Sequence, residues 1–278
     1  MKTRVISGAV FVAIVTGFFL LRQFVDARIF NILLWLFSAV GAFEMARASR
    51  EITGSAVYYC SVVFGVLLVP VFVVCQLLEL QRSYLIAVLV IIVGLVCNLA
   101  ILSQQRKEIR TARAFRYSVL NALYPSTFIL FMLLINAFAG DKGFVAMLLL
   151  FVIAPFADTF AYFVGSMLKG PKLCPRLSPK KTWSGAIGGL VGGAVGAIVV
   201  FFIFGKGLGA NYTWYLFLIL GAVVSVITII GDLFESFIKR RIGIKDMGKI
   251  MPGHGGVLDR IDGMSFAAIV LYIVFAIF

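Results

Sequence analysis

The chain has 278 residues, of which 62% are hydrophobic and 13% charged, about half the charged share of an ordinary soluble domain. A bilayer crossing takes about 20 apolar residues, so nearly the whole length reads as membrane spans and leaves no room for a separate soluble domain. The formal charge of +13 does not indicate nucleic acid, because the basic residues sit in short loops between apolar runs and no nucleic-acid motif occurs. Anionic headgroups of the lipid bilayer and a phosphorylated substrate suit that charge better.

Met1-Lys-Thr-Arg leads into Val5–Leu21, an apolar run of seventeen, longer than the core of a usual signal peptide and read as a first membrane anchor. Further spans are expected at Ile29–Met45, Ala56–Leu80, Tyr84–Leu102, Tyr117–Ala139, Gly143–Val164, Ser184–Phe204, Tyr212–Ile230 and Asp262–Phe278. The fold class is therefore all-α, a polytopic integral membrane protein of about nine transmembrane helices. It forms one membrane domain, with N-terminal helices over 1–139 and catalytic helices and cytoplasmic loops over 143–278. Pro70 in the long third span predicts a kink, a tilt or a break into a re-entrant pair. With nine spans, 20 of the 25 Lys and Arg fall on one side, which puts the N-terminus and that side in the cytoplasm. The basic loop Gln104–Arg116 reads as a cytoplasmic segment lying against anionic lipid. The span after Ser184 has glycines at 185, 188, 189, 192, 193 and 196, small-residue rows that let a helix of this or another subunit come close.

Four cysteines (Cys60, Cys75, Cys97, Cys174) show no metal or disulfide spacing, and one histidine excludes a multi-histidine metal cluster. No P-loop is present. Candidate chemistry begins at Asp158, three residues after Pro155 inside the sixth span and on the order of 10 Å from its cytoplasmic end. A carboxylate there needs a partner or a water-filled cavity, and such residues are usually functional. The loop Lys169–Lys181 carries five cations and three prolines. Its Ser178-Pro-Lys-Lys-Thr182 end leads into a helix N-terminus, so that Ser178, Lys180, Lys181 and Thr182 suit an anion.

Charge is densest in Gly231–Asp262, which holds five of the twelve acids and the single histidine. Asp232, Glu235, Ser236 and Lys239 are spaced i, i+3, i+4, i+7 on one helical face. Asp259 and Asp262 share a face at the start of the last helix. Between them Met-Pro-Gly-His-Gly-Gly offers backbone N–H groups to phosphate. Carboxylates at two helix ends, cations and such a turn are the parts of a Mg²⁺-dependent phosphate site, with room for a second cation. A solvated loop with surface ion pairs would scatter its acids, and these gather at membrane ends.

These residues resemble the phosphatidate cytidylyltransferase (CDP-diacylglycerol synthase) family. Its signature reads here as Ser236, Lys239-Arg240, Lys245-Asp246, Pro252-Gly-His254-Gly255-Gly256 and Asp259-Arg260-Ile-Asp262. The segments Asp158-Thr-x-Ala-Tyr162-x-x-Gly165 and Ser178–Thr182 are similar too. Ser184 stands where that family usually has Glu, and Ser166–Gly170 departs from its basic-x-x-Gly-basic pattern. The resemblance implies conversion of CTP and phosphatidate to CDP-diacylglycerol and pyrophosphate with Mg²⁺, in phospholipid biosynthesis at the inner membrane of the cell, by a homodimer. It implies Asp232, Asp259 and Asp262 as metal ligands, with Lys239 and Lys181 among the catalytic groups. Substrate contacts would come from Asp158, Ser178, Lys180, Thr182, Ser236, Arg240, Lys245, Asp246, Lys249, His254, Gly255, Gly256 and Arg260. A CTP-dependent polyprenol kinase shares part of these motifs, and a transporter would also carry intramembrane acids. The CDP-alcohol phosphotransferase signature is missing.

Overall fold

The computed structural model describes residues 2–80, 83–253 and 255–278. Among the described residues nine helices are long and apolar enough to cross a membrane, from Ile6–Phe24 to Leu258–Ile277. They match the nine runs expected from the sequence, and the protein is an all-α, multi-pass membrane protein.

The Cα trace divides into two compact units. The first, Met1–Leu134 with Ile244–Arg260, contains α1 (Lys2–Phe24), α2 (Phe30–Ala48), the short α3 (Arg50–Thr53), α4 (Ser55–Leu77), α5 (Ser83–Gln104) and most of α6 (Ala112–Asn136). Pro70 neither breaks α4 nor makes a re-entrant pair: one helix runs through it, since an internal proline removes a single backbone bond. The α2–α4 contact is close because Gly65 has no side chain to meet Ala42, and Ser38 Oγ donates to the Gly65 carbonyl at 2.6 Å. Residues 105–111 form turns between α5 and α6, with no helix. Near Gly41 the returning segment lies against α2 and α6: a Cβ there would make ordinary contact with Leu258 and Pro125.

The second unit, Ile135–Gly243 with Ile261–Phe278, contains α7 (Gly140–Leu168), a hairpin of β1 (Lys172–Cys174) and β2 (Ser178–Thr182), α8 (Trp183–Phe204), α9 (Trp214–Ile242) and α10 (Leu258–Ile277) from Ile261 onward. The glycine rows of α8 find partners in the same chain. Gly188, Gly192 and Gly196 meet Val164, Phe160 and Phe156 of α7, while Gly193 meets Ser225 and Gly221 of α9. Small residues allow this approach, and packing replaces the hydrophobic drive that lipid does not supply. Helix α9 runs twelve residues past the expected span end at Ile230. Lys239, Arg240 and Arg241 occupy its last turn, where cations favour the helix C-terminus. Gly243, at φ +94°, ends it in the left-handed region that glycine adopts without strain.

Candidate active site

The expected site residues fall into two groups, one in each unit. In the first unit they are carried by the segment that follows α9 and by the first turn of α10. Lys245, Asp246, Lys249, Gly255 and Arg260 line a cleft of about 670 Å³, together with Gly248, Met251, Pro252 and Gly253, a volume within the usual range of ligand pockets. The turn closes on itself through Met251 N–H donating to the Gly255 carbonyl at 2.9 Å, with Gly253 at φ +77° and Gly255 at φ +90°. Three cations, one acid and an open glycine turn give this cleft a net positive lining suited to a polyphosphate. His254 lies outside the described residues.

Asp259 has a role in the fold that the sequence did not disclose. Its Oδ2 accepts the N–H groups of Met247 at 2.9 Å and Gly256 at 2.8 Å, which ties the glycine turn to the helix behind it. The Gly256 N–H, expected to face substrate, is directed at Asp259 here.

In the second unit the polar face of α9 meets β2 and α10. Lys181 Nζ pairs with Asp232 Oδ2, both side chains remaining partly exposed. The Ser236 hydroxyl lies 3.4 Å from Asp232 Oδ1. One turn on, Lys239 Nζ donates to Glu235 Oε1 at 3.0 Å, with the Glu235 side chain fully buried. Helices α9 and α10 cross where Gly231 faces the Asp262 backbone and Gly263 faces Thr228. This crossing brings Asp262 within electrostatic range of Glu235, Asp232 and Lys239. Thr182 caps α8, its Oγ1 accepting the Gly185 N–H at 3.1 Å. Ser178 and Lys180 lie on β2, Lys180 exposed. Ser184, the departure from the usual Glu, donates its hydroxyl to the Lys169 carbonyl. Asp158 sits on an unburied face of α7 with Thr159 and Tyr162, and Arg240 is exposed near the end of α9.

Carboxylate oxygens are the donors that a hard divalent cation takes, and Asp232 and Asp262 fit it by chemistry. Among the described residues no three acid, histidine or cysteine side chains gather closely enough to hold an ion unaided. A magnesium ion would take one or two such carboxylates and complete its shell with water and substrate phosphates.

Two functional candidates were not assigned from the sequence. Glu235 lies on the polar face of α9, where spacing alone assigns it no role. Glu44, on α2, is 1% exposed, and its carboxylate accepts the Val257 N–H at 3.2 Å and the Leu258 N–H at 2.9 Å. The available signal was an acid inside an apolar span, the same signal that drew attention to Asp158.

The model of the cytidylyltransferase family matches residues 2–278. A phosphatidate cytidylyltransferase of Brucella abortus is 41% identical over 141 residues, 50% of each chain. One from Rickettsia conorii is 34% identical over 222 residues, 77% of this chain and 90% of the relative. One from Thermotoga maritima is 34% identical over 187 residues, 67% of each. The chain thus spans half the length of the Brucella relative and nearly all of the Rickettsia one.

Proposed function

Because the chain belongs to the cytidylyltransferase family, we propose that it is a phosphatidate cytidylyltransferase, converting CTP and phosphatidate to CDP-diacylglycerol and pyrophosphate. The observation that carries this reading is the cation-lined cleft of about 670 Å³ beside the glycine turn, built from residues of the signature. A phosphate oxygen of phosphatidate attacks the α-phosphorus of CTP. The bond from that phosphorus to the bridging oxygen breaks, and pyrophosphate leaves with the electron pair. A phosphomonoester is largely dianionic at neutral pH, with a second pKa of about 6, so the attacking oxygen needs no strong base. Catalysis is then mainly positioning and charge neutralisation. In the first unit Lys245, Lys249 and Arg260 offset triphosphate charge; in the second, Lys181 and Lys239, each steadied by an acid, are cations suited to phosphate. Magnesium would neutralise the departing pyrophosphate, and Asp232 and Asp262 are the carboxylates that would hold it. Purified protein in micelles should release pyrophosphate from CTP only when phosphatidate is supplied. Equal release with diacylglycerol would contradict the reading.

The same proposal places the N-terminus and the site in the cytoplasm of a bacterial cell, because 20 of 25 cations fall on one side of the nine spans. Cys174, a half-buried free thiol of β1, should react with a membrane-impermeant thiol reagent in inside-out vesicles and stay unlabelled in intact cells. Labelling of intact cells would reverse the orientation.

A further inference from the structure

Among the described residues, the first amides of α10 find their side-chain acceptor far away in the sequence. The first amides of a helix need acceptors, usually a Ser, Thr, Asp or Asn side chain at the helix boundary. Here Val257 and Leu258 occupy the boundary, and the nearby acid, Asp259, turns to the amides of Met247 and Gly256. The amides of Val257 and Leu258 are taken instead by Glu44, 213 and 214 positions away in the sequence. Two carboxylates thus divide four amides of one loop and helix start.

The fit around Glu44 is specific. A side chain on Gly248 or on Gly256 would occupy the space of its carboxylate, so both glycines are needed for the loop to close over it. Met247, Val257 and Leu258 are 5%, 6% and 1% exposed, which keeps water from replacing the carboxylate as acceptor. Hydrogen bonds to a charged acceptor are stronger than neutral ones, and in this enclosed setting an unsatisfied amide is costly. The residues that Glu44 anchors are contiguous with Lys245, Asp246, Lys249 and Arg260, which line the cleft.

We propose that Glu44 is a positioning residue for the cytidylyltransferase reaction: from α2 it fixes the loop over residues 245–257 and the first turn of α10, and so sets the register of the cations that receive CTP. This rests on the phosphatidate cytidylyltransferase reading. Gln in its place keeps the shape but puts an NH₂ donor against one of the two amides, and that bond is lost. Asp keeps the charge with a shorter reach.

The test compares wild type, Glu44→Gln and Glu44→Asp in the full-length protein. It measures KM for CTP, kcat, thermal melting, and hydrogen exchange of peptides covering residues 245–260. Losing a hydrogen bond to a charged group should raise KM for CTP roughly ten- to a hundred-fold in Glu44→Gln. Exchange should accelerate within residues 245–260 and not elsewhere, and Glu44→Asp should lie between the other two proteins. A residue that only stabilised the fold would reduce the amount of active protein and leave KM for CTP unchanged. Wild-type KM in Glu44→Gln, exchange that rises uniformly along the chain, or failure of both variants to fold would each overturn the proposal. An inactive wild type would count against the cytidylyltransferase reading, whereas the exchange pattern reports on the loop in either case.

Discussion

Asp232→Asn is expected to lower turnover on the order of a thousandfold, comparable to removing one electrostatic stabiliser from a transition state, with little change in melting. The stability side of this expectation comes from exposure. Asp232 and Lys181 form an ion pair whose side chains are 33% and 25% exposed, and partly solvated pairs contribute about 0–1 kcal/mol. Loss of that pair should shift the melting temperature by no more than about 2–4 °C. The proposed magnesium role adds a second signature: raising Mg²⁺ should not restore the wild-type rate. Near-wild-type turnover would remove Asp232 from the site. Asp259→Asn is a less clean probe, because Asp259 Oδ2 also holds the amides of Met247 and Gly256. It should lose stability and turnover together.

Lys239→Met should have the largest effect on stability. Glu235 is fully buried, and its Oε1 accepts from Lys239 Nζ at 3.0 Å. Removing one partner of a buried pair takes that compensation from the other charge, at a cost of about 3–5 kcal/mol. Replacing both groups with apolar ones is often neutral, so Glu235→Leu combined with Lys239→Met should regain most of the melting temperature. If Lys239 also acts on the reacting phosphates, the double variant will be stable and inactive. A double variant that recovers turnover along with stability would reduce Lys239 to a structural residue.

The membrane architecture was legible because a span is a length requirement: about 20 apolar residues stand out in any chain. Helix ends were less legible where charge and helix overlap. The i, i+3, i+4, i+7 pattern of Asp232, Glu235, Ser236 and Lys239 already described a helix, yet hydropathy ended the span at Ile230, and the helix continues to Ile242. Hydropathy records solvent preference, and a helix entering water keeps its backbone bonds. The partners of the α8 glycines could not be read either, since small-residue spacing announces a close neighbour without naming it. Asp259 and Glu44 were obscured for a different reason. Both bind backbone N–H groups, and an amide carries no side-chain signature. Gly248 and Gly256 could be recognised as freeing space, but not that the space belongs to a carboxylate on α2.

The reaction itself is tested most directly by following the phosphorus atoms of CTP. Purified protein in phosphatidate-containing micelles is supplied in parallel with CTP labelled at the α-phosphate and CTP labelled at the γ-phosphate. Attack at the α-phosphorus predicts α-label in the lipid product and γ-label in soluble pyrophosphate. A CTP-dependent lipid kinase would put the γ-label into lipid and release CDP carrying the α-label, and that result would contradict the account.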